Sequence, residues 1–262
     1  MAKKTKQTSG KKPLILVTND DGIYAPGIRA LIEAVKDLGE VVVVAPDKPQ
    51  SGMGHAITIG QPLRMSAVNL VDGVEAYQIT GTPVDCVKIA VDKVLKQRPD
   101  ICLSGINHGP NHSINVIYSG TMSAAVEASI ESIPSIGFSL NDTSHEADFD
   151  GAQEYARVIT EKILSGKWDK HLCLNVNIPA INTLEIQGVK VCKQAYAKYD
   201  EDFEERKDPA GRKYYWLTGE FVNLDKANDT DVWALEHNYV SIVPVHFDLT
   251  NYELKKKLDK VF

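Results

Sequence analysis

The apolar run Ile15-Leu16-Val17-Thr18 stops abruptly on Asn19-Asp20-Asp21-Gly22, two adjacent carboxylates followed by a turn-forming glycine. A buried strand ending this way carries negative charge to the lip of a sheet, where open α/β proteins bind their ligands. Two carboxylates side by side at such a lip call for a cation, because unpaired like charges repel and are costly to desolvate. The competing reading of this segment alone is a surface turn with both aspartates solvated. Three further segments share its polar, glycine-rich character: Pro46 to His55 (with Gln50-Ser51-Gly52), Ser104 to Asn111, and Tyr118-Ser119-Gly120-Thr121. Carboxylate, hydroxyl and amide oxygens without cysteine form a hard-cation donor set, suited to Mg2+ or Mn2+ and compatible with Ca2+. The histidines do not fall at zinc-like spacings. Taken singly, Ser51 and Asn107 are ordinary turn formers, but their position after strands and beside the aspartate pair favours a functional role. Ser119-Gly120-Thr121 at a helix start offers unpaired N–H groups and the positive end of a helix dipole to a phosphate. Serine and threonine also cap helices that bind nothing. His55, His108 and His112 read first as hydrogen-bonded loop residues and second as proton-transfer groups.

The elements that must position these loops alternate. Strand-like runs at Leu14–Thr18, Val41–Ala45, Ile101–Ser104, Ser135–Ser139 and Leu172–Ile178 are separated by amphipathic helices, the pattern of a doubly wound, mostly parallel α/β sheet of Rossmann-like type. Pro26 opens a helix whose Ile28, Leu31, Ile32, Val35 and Leu38 share a face and which Gly39 closes. Thr82-Pro83-Val84-Asp85 announces a second helix, with a threonine cap, a proline at the first turn and Asp85 to complete a capping box. A third begins near Thr121, and a fourth runs from about Gly151 to Leu164. After about Asn182 the alternation breaks down. A charged stretch, Asp200 to Asp208, precedes Tyr214-Tyr215-Trp216-Leu217, which reads as one arm of a hairpin. A short helix around Asp231 to Glu236, a strand over Val240 to Val245 and a basic C-terminal helix complete the chain. The expected organisation is a basic, disordered tail (1–12), a catalytic core (13–182) and a β-rich C-terminal extension (183–262) that contacts another subunit.

With 262 residues and a net charge of −6, the chain can bury a large core and presents no basic face for nucleic acid or an anionic membrane. No apolar run approaches the length of a membrane span. Residues 1–12 lack the apolar centre of a signal peptide, and Cys86, Cys102, Cys173 and Cys192 show no paired spacing. Both features point to a reducing cytoplasm. There is no complete dinucleotide fingerprint at Gly52-Met53-Gly54, no G-x-x-x-x-G-K-[ST] and no G-x-S-x-G.

Taken in order, Asn19-Asp20-Asp21-Gly22-Ile23 with Ala25-Pro26-Gly27, then Gln50-Ser51-Gly52, Ser104-Gly105-Ile106-Asn107-x-Gly109-x-Asn111 and Tyr118-Ser119-Gly120-Thr121 resemble the stationary-phase survival family SurE. Val240-Ser241-Ile242-x-Pro244 and Asp248-Leu249-Thr250 extend the likeness almost to the end of the chain. The resemblance implies a divalent-metal-dependent 5′/3′-nucleotidase and acid phosphatase acting on nucleoside monophosphates, in some members also on short polyphosphate. It implies a metal held by Asp20, Asp21, Ser51 and Asn107, and dimers or tetramers that exchange C-terminal elements. Asp20, Asp21 and Asn107 are then the candidate catalytic residues, with Asp20 also a candidate general base. Gly52, Asn111, Ser119, Gly120 and Thr121 are the candidate phosphate-binding residues. Two rivals stand beside this reading. A haloacid-dehalogenase-type phosphatase needs an aspartate nucleophile where this chain has Asn19, and a non-catalytic nucleotide or phosphate sensor would use the same sheet without turnover.

Overall fold

The computed structural model describes residues 12–144 and 146–262, so the expected tail lies outside the described residues apart from Lys12. In chain order the elements are β1 (Leu14–Thr18), α1 (Pro26–Val35), β2 (Glu40–Pro46), β3 (Met65–Ala67), β4 (Glu75–Ile79), α2 (Pro83–Ile89), β5 (Ile101–His108), α3 (Asn115–Tyr118), α4 (Gly120–Ile130) and β6 (Ser135–Asn141). They continue as α5 (Asp150–Ser165), β7 (Cys173–Pro179), β8 (Gly188–Val191), β9 (Ala197–Lys207), β10 (Lys213–Asn223), α6 (Asp231–Glu236), β11 (Tyr239–Pro244) and α7 (Tyr252–Leu258).

One sheet of nine strands runs in the order β3-β4-β2-β1-β5-β6-β7-β11-β8. From β4 to β7 all neighbours are parallel. β1, β2, β5, β6 and β7 are buried along nearly their whole length, which is why they read as largely apolar runs, whereas β4 keeps Glu75 exposed and Tyr77 and Gln78 half-buried. α1 packs beside α5 over one face and α2 beside α4 over the other. The chain passes from β1 to β2 on one side and returns with β5 on the other, so the strand order reverses at β1. That reversal opens a crevice at the carboxyl ends of β1 and β5. The register pairs Thr18 with Ser104, and the two strands therefore deliver Asp20-Asp21 and Asn107 to the same lip.

The α2 start behaves as its sequence predicts. Thr82 Oγ1 accepts from Asp85 N at 3.1 Å and Asp85 Oδ2 accepts from Thr82 N at 2.9 Å, a closed capping box. The helix over Pro26 is shorter than its apolar face suggests, ending at Val35. All four cysteines are buried and free. Among the described residues no helix is long and apolar enough to cross a membrane.

The sheet does not end near residue 182. β11 pairs antiparallel with β7 and parallel with β8, so two strands of the expected extension belong to the main sheet. What leaves the sheet is the long hairpin β9–β10, paired over its whole length, and α7, which buries none of its residues. Tyr214, Tyr215, Trp216 and Leu217 lie on the hairpin and are exposed.

Candidate active site

Four loops are fastened together around the aspartate pair. The Asp20 carbonyl accepts from Gln50 N at 2.7 Å, which ties the 46–54 loop to the end of β1. The Thr121 hydroxyl donates to Asp20 Oδ1, and the Thr121 N–H faces the same carboxylate, so the amino end of α4 closes on Asp20. His108 N donates to Asp21 Oδ2 at 3.1 Å, joining the end of β5. Gly54 N donates to Tyr118 O at 3.1 Å, linking the second loop to the fourth. Beneath them Asn19 Nδ2 donates to Gly22 O at 2.9 Å, and Gly22 makes the turn with φ +97°. Gly120 has no room for a side chain, since a Cβ there would stand 2.6 Å from that of Asp20. The helix start can approach the carboxylate only because this residue is glycine.

Asp20 is 4% exposed. Burial raises its pKa from 3.8 to about 6; the Thr121 hydroxyl opposes the rise and the neighbouring Asp21 adds to it. Asp21 is also raised, by burial first, with the His108 N–H pulling the other way. Neither carboxylate has a lysine or arginine among the groups that shift it. Among the described residues no three histidine, cysteine, aspartate or glutamate side chains converge as a metal cage. The lip offers two carboxylates, and neutral oxygens or water would have to complete a donor set for a hard cation there. A cation there would offset the burial that raises both groups and the Asp21 charge that adds to the rise at Asp20.

The other candidates take distinct places. Ser51 and Gly52 sit exposed at the tip of the 46–54 loop. Asn107 donates its Nδ2 to Gly109 O at 2.7 Å, which leaves its amide oxygen for another partner. Ser119 caps α4, its Oγ accepting from Met122 N at 3.0 Å. Asn111 is nine-tenths buried and turned into the protein. Its Nδ2 donates to Ser139 Oγ at 2.9 Å, its N to Asn177 Oδ1 at 2.7 Å, and its carbonyl accepts from Asn175 Nδ2 at 2.7 Å. These bonds hold the loop from below, and an amide contact with phosphate would have to break one of them. Of the loop histidines, His108 bonds the Ser144 carbonyl and His55 bonds Glu127, whereas the buried Nδ1 of His112 has no partner.

Glu127 is a participant that sequence reading missed. It is buried on α4, with Oε2 at 2.8 Å from His55 Nε2 and Oε1 at 2.5 Å from Lys88 Nζ. Burial pushes its carboxyl up, and the hydrogen bonds from His55 and Lys88 outweigh that, leaving it below the ordinary glutamate value. Together with Thr58 Oγ1 donating to Asp85 Oδ2 at 2.6 Å, this pair pins the loop that carries Ser51. The available signal was a lone carboxylate within the small-residue helix Ala124 to Ser129.

A doubly wound α/β protein with a buried acidic pair at its strand-order reversal, facing a helix amino terminus, belongs to the class that binds phosphorylated ligands at that edge. Comparison with known proteins narrows the class. The family model described as Survival protein SurE matches residues 15–201, and the chain belongs to the SurE family. It is 58% identical to the 5′-nucleotidase SurE of Christiangramia forsetii and 57% identical to that of Flavobacterium johnsoniae, in each case over 95% of this chain and 96% of the relative. The crystal structure of the SurE protein from Aquifex aeolicus superposes with a TM-score of 0.82 at 40% identity, covering 95% of this chain and 99% of that one.

Proposed function

We propose that the protein is a divalent-metal-dependent phosphomonoesterase, a nucleotidase that releases phosphate from nucleoside monophosphates, with short polyphosphate a further candidate substrate. The observation that carries this reading is the closure of the α4 amino terminus on a buried Asp20 beside Asp21, which joins a cation site to an anion site within one lip. The relatives' shared name, 5′-nucleotidase SurE, supports it. Asp20 and Asp21, with Ser51 and the Asn107 amide oxygen, would hold Mg2+ or Mn2+. Such an ion polarises a phosphoryl oxygen and lowers the pKa of a bound water. The Ser119 to Thr121 helix start, with the Gly52 amide, would neutralise the phosphate charge that remains. The alternative role for Asp20, in place of ligating the cation, is to take a proton from the attacking water. Asn111 keeps the β5 loop in place from beneath.

An aspartyl-nucleophile phosphatase is disfavoured on geometry. Asn19 is fully buried and its Nδ2 is spent on the Gly22 carbonyl. The test is phosphate release from adenosine 5′-monophosphate after chelation and again after Mg2+ or Mn2+ is restored. Activity lost on chelation and recovered with metal is the expected result. Binding of the nucleotide without turnover under every metal would establish a sensor instead.

We also infer a homodimer or homotetramer built through the C-terminal part. Leu249 is 94% and Phe262 100% exposed, and α7 presents Leu254 and Leu258 to solvent. Exposed apolar groups in that density mark an interface. Light scattering is expected to show an assembly for the full chain and a smaller species, with an unchanged melting temperature, once residues 250–262 are removed. An active full-length monomer at micromolar concentration would rule the assembly out.

A further inference from the structure

Glu127 is 3% exposed on α4, a helix otherwise built of small and apolar residues. A buried ion pair adds little to a core that an apolar side chain of similar size would not supply. What a carboxylate adds at this place is a directional bond. Ser119, Ser123 and Glu127 stand four residues apart and share one face of α4, so the face that starts at the cap beside the candidate phosphate end reaches His55 about two turns later. The same helix touches Asp20 through the Thr121 hydroxyl.

Residues 50–55 are tied to the rest of the described chain by Gln50 N donating to Asp20 O at 2.7 Å, by Gly54 N donating to Tyr118 O at 3.1 Å, and by the pair of His55 Nε2 with Glu127 Oε2 at 2.8 Å. Ser51 lies between the first of these ties and the other two. Gly52 and Gly54, at φ +72° and +57°, leave the backbone between them many other paths, so its course depends on what holds it at each end. One end is the strand end that carries Asp20, and the other is α4. Lys88 of α2 completes the ion pair with Glu127. The His55 and Lys88 side chains are 37% and 47% exposed, so each can turn to water if the carboxylate is removed.

We propose that Glu127 is a positioning residue for the cation: through His55 it holds Ser51 within reach of the ion on Asp20 and Asp21. This inference rests on the reading of the site given above. One helix then sets both the aspartate and the serine, and Glu127 acts on the metal without touching it, as partners of metal ligands do.

The test is calorimetric titration of the chelated protein with Mn2+, with melting temperatures measured on the same samples. Glu127→Met fills the same space with an apolar helix former, and it is expected to melt no lower than wild type while its Mn2+ dissociation constant rises about tenfold. His55→Ala is expected to raise it by a similar factor, and the double variant by no more than either alone, because each change breaks the same bond. His55→Gln, whose amide N–H replaces that of the ring, is expected to recover most of the affinity. If Glu127→Met melts low, His55→Ala against His55→Gln decides alone. Wild-type affinity in Glu127→Met and His55→Ala, or additive losses in the double variant, overturns the positioning role and leaves the metal reading standing. A wild type that binds no Mn2+ defeats the metal reading, and this role falls with it.

Discussion

Asp20→Asn is expected to cut turnover by about a thousandfold or more, and at the same time to make the metal-free protein more stable at pH 7. The first effect follows from removing one of two charged oxygens offered to the cation or, in the alternative role, the group that takes a proton. The second follows from burial. Asp20 titrates at about 6 in the folded chain against an ordinary 3.8, so the folded state resists its ionisation. Below pH 3.8 both states hold the proton and the group contributes no penalty. As pH rises through that value the unfolded chain ionises first, and stability falls until the folded carboxyl ionises near 6. The gap corresponds to about 3 kcal/mol lost by pH 7 in the absence of metal. Asparagine has no such penalty, and its Oδ1 still accepts from the Thr121 hydroxyl. Melting curves of chelated wild type and variant should therefore diverge between pH 4 and 6.5, the variant melting higher, and should converge at lower pH. Full turnover in the variant, or equal melting at pH 7, would remove Asp20 from the role given to it.

That trade of stability for charge was partly legible in the chain. Asp20, Asp21 and Gly22 stand at the end of an apolar run, and the pattern alone places them at a sheet lip. Ser51, Asn107 and the Ser119 to Thr121 helix start could be gathered to the same edge because alternating strands and helices dictate it. The direction in which each side chain turns was not legible. Asn111 shares the polar, glycine-flanked setting of Asn107, and only packing against Ser139, Asn175 and Asn177 shows that its amide points inward. Glu127 lay hidden for a related reason: its partners His55 and Lys88 come from two other segments, and no local pattern announces a buried carboxylate with distant cations.

The fold divides along the same line. Strands buried on both faces, such as β2 and β7, are visible as apolar runs, and α2 is visible through its capping box. β3 has no buried residue and β8 alternates half-buried with exposed positions, so neither separates from loop sequence. β9 carries seven acidic or basic residues from Asp200 to Lys207 and reads as a solvated stretch; it is a strand because β10 pairs with it residue for residue. That β11 would join the main sheet was beyond any local signal, since a strand's own sequence does not name its neighbour.

Asp231 ties the C-terminal part to the site loop from both sides, and Asp231→Ala is expected to cost about 3–5 kcal/mol of stability. Asp231 is fully buried at the start of α6. Its Oδ2 accepts from Ser113 N at 2.7 Å, and its Oδ1 from Ala195 N at 2.9 Å and Val232 N at 2.8 Å. Ser113 belongs to the loop that follows β5, whose end carries Asn107, and it sits at φ +53°, a backbone conformation a serine rarely adopts unaided. Ala195 lies at the root of the hairpin, and its carbonyl accepts from Ser113 Oγ at 2.9 Å. Alanine at 231 leaves buried amides on both sides without an acceptor, and the Ser113 backbone loses its bond to the carboxylate while its Oγ keeps the Ala195 carbonyl. The melting temperature should drop by about 10 °C for a chain of this size, and kcat/KM should fall as the loop carrying Asn107 loosens. Asp231→Asn keeps one carbonyl oxygen and turns its amide toward an N–H that needs an acceptor, so it should lie between wild type and alanine. Calorimetry of the three proteins decides the matter, because a melting temperature within 2 °C of wild type in Asp231→Ala would show that the hairpin root and the site loop hold together without this carboxylate.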